Sequence, residues 1–247
     1  MGLLHFFKSY PKNDNLEWLG ADMHSHILPA IDDGSPNVAT SVNYIKQLAA
    51  LGLSKFICTP HIFKEVYPNS KKTIQPALVQ TQQEAKNQNI NVEIYAAAEY
   101  MMDVDFLEIL KNEEILTLPN KYILIEMSYA AKNNNIEQYI FDLSIKGYKP
   151  ILAHPERYNY YHHDFKKYQR FKDLGCLLQL NALSVTGYYG KEVKNVALRL
   201  IQQNFVDVVG TDLHHQKHLD ALTDFTRKGK FYELLSKCDI QNKTLFM

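Results

Sequence analysis

His24 and His26 stand one residue apart and open a run that continues through Asp32, Asp33 and Gly34. At that spacing two imidazoles fall on one face of an extended segment, where they can grip one cation together. Isolated His-x-His pairs are common among structural histidines, so the weight lies with the residues at which the later apolar runs stop. Those runs end at His61, Glu99, Glu126, His154, Asn181 and the pair Asp212 and His214. Imidazoles mixed with carboxylates suit hard or borderline divalent cations. Glu99 and Glu126 can bridge two ions if their strands converge, although a glutamate at a strand exit is often a solvated loop residue. In His154-Pro155-Glu156-Arg157, His154 either caps its strand or ligates an ion, and Arg157 beside it can bind an anion. Asp212 and His214 repeat the first pair's spacing and can close the site opposite it. We read Asn181 as a supporting residue and His215 and His218 as surface histidines. His5, His162 and His163 have no metal argument.

Such residues meet only if strands distant in sequence lie side by side. Apolar stretches of strand character occur at 19–23, 55–59, 92–98, 122–127, 150–153, 177–180 and 206–209. Helical patterns fall between them. Ser35-Pro36 reads as an N-cap and first helical residue of a helix that ends at Gly52. Further helices are expected over 77–89, 136–146 (stopped by Gly147) and 192–204, with a polar loop over 129–135. Strands that are apolar throughout and alternate with helices indicate a parallel sheet covered by helices, an α/β fold. Seven such units suggest a closed or nearly closed barrel, whose strand ends gather side chains at one mouth.

The bulk properties set bounds. The 247 residues can form one domain with a full core. Lys plus Arg and Asp plus Glu number 27 each, for a formal charge of zero, which argues against binding nucleic acid or membranes through bulk positive charge. No apolar run approaches the ~18 residues of a membrane span. Residues 1–17 read as an N-terminal arm, too short in its apolar part for a secretory signal, and Phe6 stands where myristoylation needs Ser or Thr. Cys58, Cys176 and Cys238 form no framework of disulfides, which fits a reducing cytoplasm. No arginine stands six residues beyond any of them (Lys64, Ala182 and Thr244 do), so a cysteine phosphatase loop has no support.

The string from His24 to Ser35, with Thr59-Pro60-His61, Ala98-Glu99-Tyr100, His154-Pro155-Glu156-Arg157 and Gly210-Thr211-Asp212-Leu213-His214, resembles the bacterial metal-dependent tyrosine phosphatases of capsular and exopolysaccharide synthesis. These belong to the polymerase and histidinol phosphatase (PHP) superfamily, and the resemblance runs from about Ala21 to His214. It implies a distorted (β/α)7 TIM-like barrel of PHP type holding three divalent ions, manganese foremost, with iron or zinc also suited to these ligands. It places His24, His26, Glu99 and Asp212 on a first ion, Glu99, Glu126 and His154 on a second, and Asp33, His61 and His214 on a third. Arg157, Asp212 and His61 become the catalytic residues, with Arg157 on the phosphate. Asp33, where much of the superfamily has histidine, points to the tyrosine phosphatase branch.

The implied substrate is a phosphotyrosine protein, such as the tail of a bacterial tyrosine kinase, and a homo-oligomer is compatible. Relatives often supply a second phosphate arginine after the last motif; here Gln216-Lys217-His218 stands, leaving Lys217 or His218 as substitutes. Three alternatives stay open: a small-metabolite phosphatase such as histidinol phosphatase, an amidohydrolase (which commonly has lysine where Glu126 stands), and a non-catalytic metal-stabilised partner of a polysaccharide export complex.

Overall fold

The computed structural model describes residues 13–247, with 113 and 237 excepted. The expected arm therefore lies, through residue 12, outside the described residues. At its inner end Leu16 is buried and its N–H donates to Leu51 O at 2.6 Å.

Every strand pairing is parallel. β1 (Ala21–Asp22), β2 (Lys55–Cys58) and β4 (Glu93–Ala96) form one run in the order β1-β2-β4. A second run has the order β3 (His61–Ile62), β5 (Glu99–Met101), β6 (Tyr122–Glu126), β7 (Lys149–Ala153), β8 (Leu177–Asn181) and β9 (Val208–Gly210). The strands expected over 55–59 and 92–98 are each followed at once by a second, short strand. Thr59-Pro60 separates β2 from β3, since Pro60 has no N–H for a ladder, and Ala97-Ala98 separates β4 from β5. Single backbone bonds carry the chain across both breaks: Thr59 N to Ser25 O, Ala97 N to Cys58 O and Glu99 N to Pro60 O, at 2.8, 2.9 and 3.1 Å. His61 and Glu99 thus begin new strands instead of ending old ones, and they are register partners across β3 and β5.

The sheet curls until β9 reaches β1. Asp212 N donates to His24 O at 2.8 Å, and His26 N to Leu213 O at 3.0 Å. Ala21, Ile57, Ala97, Leu124, Ile151, Ala153 and Val208 pack inside the curl with Phe246. Their strand neighbours Phe56, Ile123, Ile125, Leu152 and Val209 face outward into the larger apolar layer under the helices, the period-2 alternation of a strand.

Those helices are α1 (Val38–Ala50), α2 (Lys71–Asn87), α3 (Phe106–Asn112), α4 (Ile136–Ile145), α5 (Phe165–Asp173), α6 (Lys191–Gln202), α7 (Gln216–Arg227), α8 (Lys230–Leu235) and α9 (Asn242–Phe246). α4 and α6 fall where expected. α1 is capped by Asn37, whose Oδ1 accepts from Thr40 N at 2.9 Å, and not by Ser35. Ser35 is buried, and its hydroxyl donates to Asn37 O. α2 starts before residue 77 because Ser70 N bonds Thr73 Oγ1 at 3.0 Å, and the helix runs through Pro76. Among the described residues no helix is long and apolar enough to cross a membrane.

Candidate metal centre

The strand ends deliver all nine expected ligands to one place. Four overlapping groups each bring their ligand atoms within 4.8 Å of one another: His26, Asp33, His61 and His214; His24, His26 and Asp212; His24, Glu99 and His154; and His61, Glu99 and Glu126. Two of the nine leave their strands with left-handed backbones, His154 (φ 33) and Asp212 (φ 49). Such conformations are uncommon for residues with a side chain and concentrate at functional sites. Gly34 and Gly210 supply room: a Cβ would lie 1.9 Å from His26 O at the first and 2.5 Å from His24 Cβ at the second.

The imidazoles are oriented from behind. His24 Nδ1 donates to Gln179 Oε1 at 2.9 Å, and His26 Nδ1 to Asp32 Oδ2 at 2.8 Å. Both acceptors lack a proton to give, so Nδ1 carries hydrogen in each ring and Nε2 faces the centre, where the two Nε2 atoms are 3.3 Å apart. His214 Nδ1 donates to Asp212 O at 2.9 Å. At the centre lies Glu99 Oε2, fully buried and without a hydrogen bond. Three imidazole nitrogens, His24 Nε2, His26 Nε2 and His61 Nδ1, approach it at 3.3, 3.3 and 3.2 Å, none angled to bond it. Buried carboxylate oxygens are normally satisfied. An orphaned oxygen ringed by imidazole nitrogens is the arrangement that fits divalent cations, and the donor set suits manganese, iron or zinc alike.

Electrostatics agree. Burial alone would raise the Glu99 carboxyl, but His24, His61 and a hydrogen bond from His154 hold it well below its usual range. Asp212 is likewise depressed against its burial, by His24 and His214 first. Burial disfavours charge on His26, yet Asp32 leads the partners that push its pKa well above normal. The acidic cluster thus demands positive charge, which bound cations would supply while displacing protons from the imidazoles.

Beside the ligands opens a cleft of about 230 Å³, lined by Asp33, Arg157, Tyr189, Asp212, His214, His215 and His218. Arg157 donates from Nη1 to Asp212 Oδ2 at 2.7 Å, with its guanidinium 4.7 Å from the Tyr129 ring and 4.3 Å from the Tyr189 ring. Asn181 stands behind Asp212, donating from Nδ2 to Oδ2 at 2.7 Å and to Tyr189 Oη at 3.2 Å. Lys217 is exposed on the first turn of α7 and does not line the cleft. His218 is buried there, not at the surface as expected, because α7 turns it inward against Tyr188 and His214. His215 is exposed and caps α7. His162 bonds Glu156 O, and His5 lies outside the described residues.

Sequence reasoning missed Gln179, Tyr129 and Tyr189, and gave Asp32 no role. The visible signal was slight: a single glutamine interrupting the apolar run of β8.

Residues 20–223 match the model of the family described as capsular polysaccharide synthesis, CpsB/CapC. This chain belongs to the CpsB/CapC family. Among similar proteins, tyrosine-protein phosphatase YwqE of Bacillus subtilis (strain 168) is 31% identical over 197 residues, covering 79% of this chain and 78% of its own. Tyrosine-protein phosphatase CpsB of Streptococcus pneumoniae is 27% identical over 222 residues, covering 87% and 89%. One solved chain, described under crystal structures of YwqE from Bacillus subtilis and CpsB from Streptococcus pneumoniae, unique metal-dependent tyrosine phosphatases, superposes with a TM-score of 0.80 at 29% identity, covering 91% of this chain and 90% of that one.

Proposed function

We propose that this chain is a metal-dependent protein-tyrosine phosphatase hydrolysing phosphotyrosine, built on a distorted seven-stranded barrel of PHP type. The observation that carries the reading is Glu99 Oε2, buried and unbonded among three imidazole nitrogens, with the Arg157 cleft alongside. The phosphatases among its relatives support the same activity.

Three divalent ions, Mn2+ foremost, are assigned as follows: His24, His26, Glu99 and Asp212 hold the first, Glu99, Glu126 and His154 the second, and Asp33, His61 and His214 the third. Bound there, they would neutralise phosphoryl oxygens and acidify water at neutral pH. The protein's own groups do the rest. Arg157, fixed between two tyrosine rings, presents its remaining N–H groups to a phosphoryl oxygen. Asp212 keeps that guanidinium in place, and His61 sits at the junction of the Glu99, Glu126 and Asp33 carboxylates. A phenolate leaving group, with a pKa of about 10, needs less protonation help than an alkoxide.

The proposed substrate is a phosphotyrosine tail of a tyrosine kinase that regulates capsule or exopolysaccharide synthesis, met in the cytoplasm, a reading that the named phosphatase relatives support. Turnover of a phosphotyrosine peptide and of histidinol phosphate, measured with several added metals, tests this. Preference for the peptide is expected. A preference for histidinol phosphate would replace the reading with a metabolite phosphatase, and no turnover with any ion would overturn the assignment as an enzyme.

A further inference from the structure

Two buried side chains that are not themselves ligands each hold one end of the centre. Gln179 projects from β8 with no exposure at all. Its Oε1 accepts from His24 Nδ1 at 2.9 Å and from His154 N at 3.2 Å, while its Nε2 donates to Leu180 O at 2.7 Å. That last bond fixes which end of the amide accepts. Gly210 keeps the position open, since a Cβ there would come within 3.0 Å of Gln179 Nε2.

Asp32 does the parallel work from the loop after His26. Its Oδ2 accepts from His26 Nδ1 at 2.8 Å and from His61 N at 3.2 Å, and its Oδ1 accepts from Gly34 N at 3.0 Å. The residues tied by Gln179, His24 and His154, belong to one ligand group with Glu99. Those tied by Asp32, His26 and His61, belong to another with Asp33 and His214. The two remaining groups, His24 with His26 and Asp212, and His61 with Glu99 and Glu126, join residues held by both supports or lie between them, so the supports act apart at the outer groups marked by His154 and by Asp33.

Resting on the metal reading above, we propose that Gln179 and Asp32 are positioning residues that organise the two ends of the centre separately. Gln179 sets the ring of His24 and the backbone of His154, so it governs the ion nearest Glu99 and His154. Asp32 sets His26 and His61, so it governs the ion nearest Asp33 and His214. The two supports are also chemically unequal. A carboxylate behind His26 raises that ring's basicity as a ligand, whereas a neutral amide behind His24 orients it without adding charge.

Substitution separates them. Asp32→Asn keeps the shape, but all three groups that Asp32 faces are donors, so an amide must turn N–H toward at least one of them. Gln179→Leu removes the acceptor from His24 and His154 at similar volume. Mn2+ titrated by calorimetry into chelator-treated, full-length protein resolves the classes of site, with Asp33→Ala and His154→Ala marking which class lies at which end. Loss of an outer support typically weakens metal binding by about 10–100-fold. The expected result is that Asp32→Asn weakens the Asp33-marked class by at least about tenfold and leaves the His154-marked class within about threefold, with the reverse for Gln179→Leu, while the ion shared by His24 and His26 weakens in both. Asn242→Ala, whose side chain bonds Ala21 and Val209 and none of the nine candidate ligands, is expected to lower the melting temperature without moving the marked classes. Variants within about threefold of wild type at every class, or losses spread equally over all classes as in a generally loosened fold, overturn the proposal. Wild-type protein that takes up no Mn2+ overturns the metal reading and this inference with it.

Discussion

Asp212 divides its two oxygens between two tasks: Oδ2 accepts from Arg157 Nη1 at 2.7 Å, while Oδ1 faces His24 and His26 Nε2 at 3.4 Å each. One carboxylate thus joins the His24 and His26 cluster to Arg157, and the two cannot move apart independently. The clamp is rigid as well, because Tyr129 and Tyr189 cover the guanidinium from two sides.

Removing the clamp should therefore leave the ions and cost catalysis. Arg157→Ala is expected to retain its metal and lose roughly 2–4 kcal/mol of transition-state stabilisation, the cost typical of one preorganised donor. Arg157→Lys keeps the charge but neither the planar fork nor the stacking, so it should recover only a small part. Kinetics with a phosphotyrosine peptide, alongside elemental analysis, check both. An unchanged kcat/KM in Arg157→Ala would remove this residue from the mechanism.

Metal removal should act on stability as well as rate. Ligands that bind only the folded chain stabilise it by mass action, about 2.7 kcal/mol at a hundredfold excess over the dissociation constant. Chelator-treated protein is expected to lose phosphatase activity, to melt lower, and to regain both with added Mn2+. His24→Ala or Asp212→Ala should abolish activity and lower metal content together. Full activity after verified metal stripping would contradict the assignment.

Eight of the nine candidate ligands were legible because each stands at the edge of an apolar run and parallel strands carry such residues to one mouth, whereas Asp33, in the loop after His26, came only from the family resemblance. The supports were not. Gln179 and His24 are 155 positions apart, and nothing local to either marks the pairing. Tyr129 and Tyr189 were hidden for a similar reason, since an aromatic in a loop says nothing about the cation it will cover. The strand breaks at Thr59-Pro60 and Ala97-Ala98 were masked by continuous strand-like composition, although Pro60 was a visible cue. Ser35 shows how a good cap signal loses to burial: its hydroxyl is drawn inside, and Asn37 takes the cap.

Glu156 offers a prediction in pH. It is fully buried; Oε1 accepts from Asn181 N at 3.0 Å and Ser184 Oγ at 2.7 Å, while Oε2 has no partner. Burial pushes its carboxyl up from 4.5 to about 7. The folded state therefore favours the protonated acid, so its contribution is fully present below pH about 4.5 and is lost as pH rises through about 7. Glu156→Gln is neutral at every pH and keeps an acceptor. Its stability relative to wild type should rise between about pH 4.5 and 7 by roughly 2–3 kcal/mol, read by urea unfolding of metal-free protein. A difference that does not change with pH would show that Glu156 is ionised in the fold.

The seam between β1 and β9 should be the weak line of the curl. Below the His24 and Asp212 contact, Asp22 accepts from Thr211 N and Oγ1 at 3.0 and 2.6 Å. Lower still, the side chain of Asn242 on α9 stands in for a missing ladder: its Oδ1 accepts from Val209 N at 2.8 Å, and its Nδ2 donates to Ala21 O and Val209 O at 3.0 and 2.7 Å. Asn242→Ala strands these backbone groups in the interior. At about 1–3 kcal/mol for a buried unsatisfied group, a loss of roughly 2–5 kcal/mol is expected, with a fall in melting temperature of about 2–4 °C per kcal/mol for a chain near this size. Asn242→Asp is the sharper test. A carboxylate can still accept from Val209 N but can only repel two carbonyl oxygens, so Asp should be worse than Ala at neutral pH and should recover in acid, where one oxygen regains a proton to donate. Equal stability of the Asp and Ala variants across that range would mean that solvent reaches the seam.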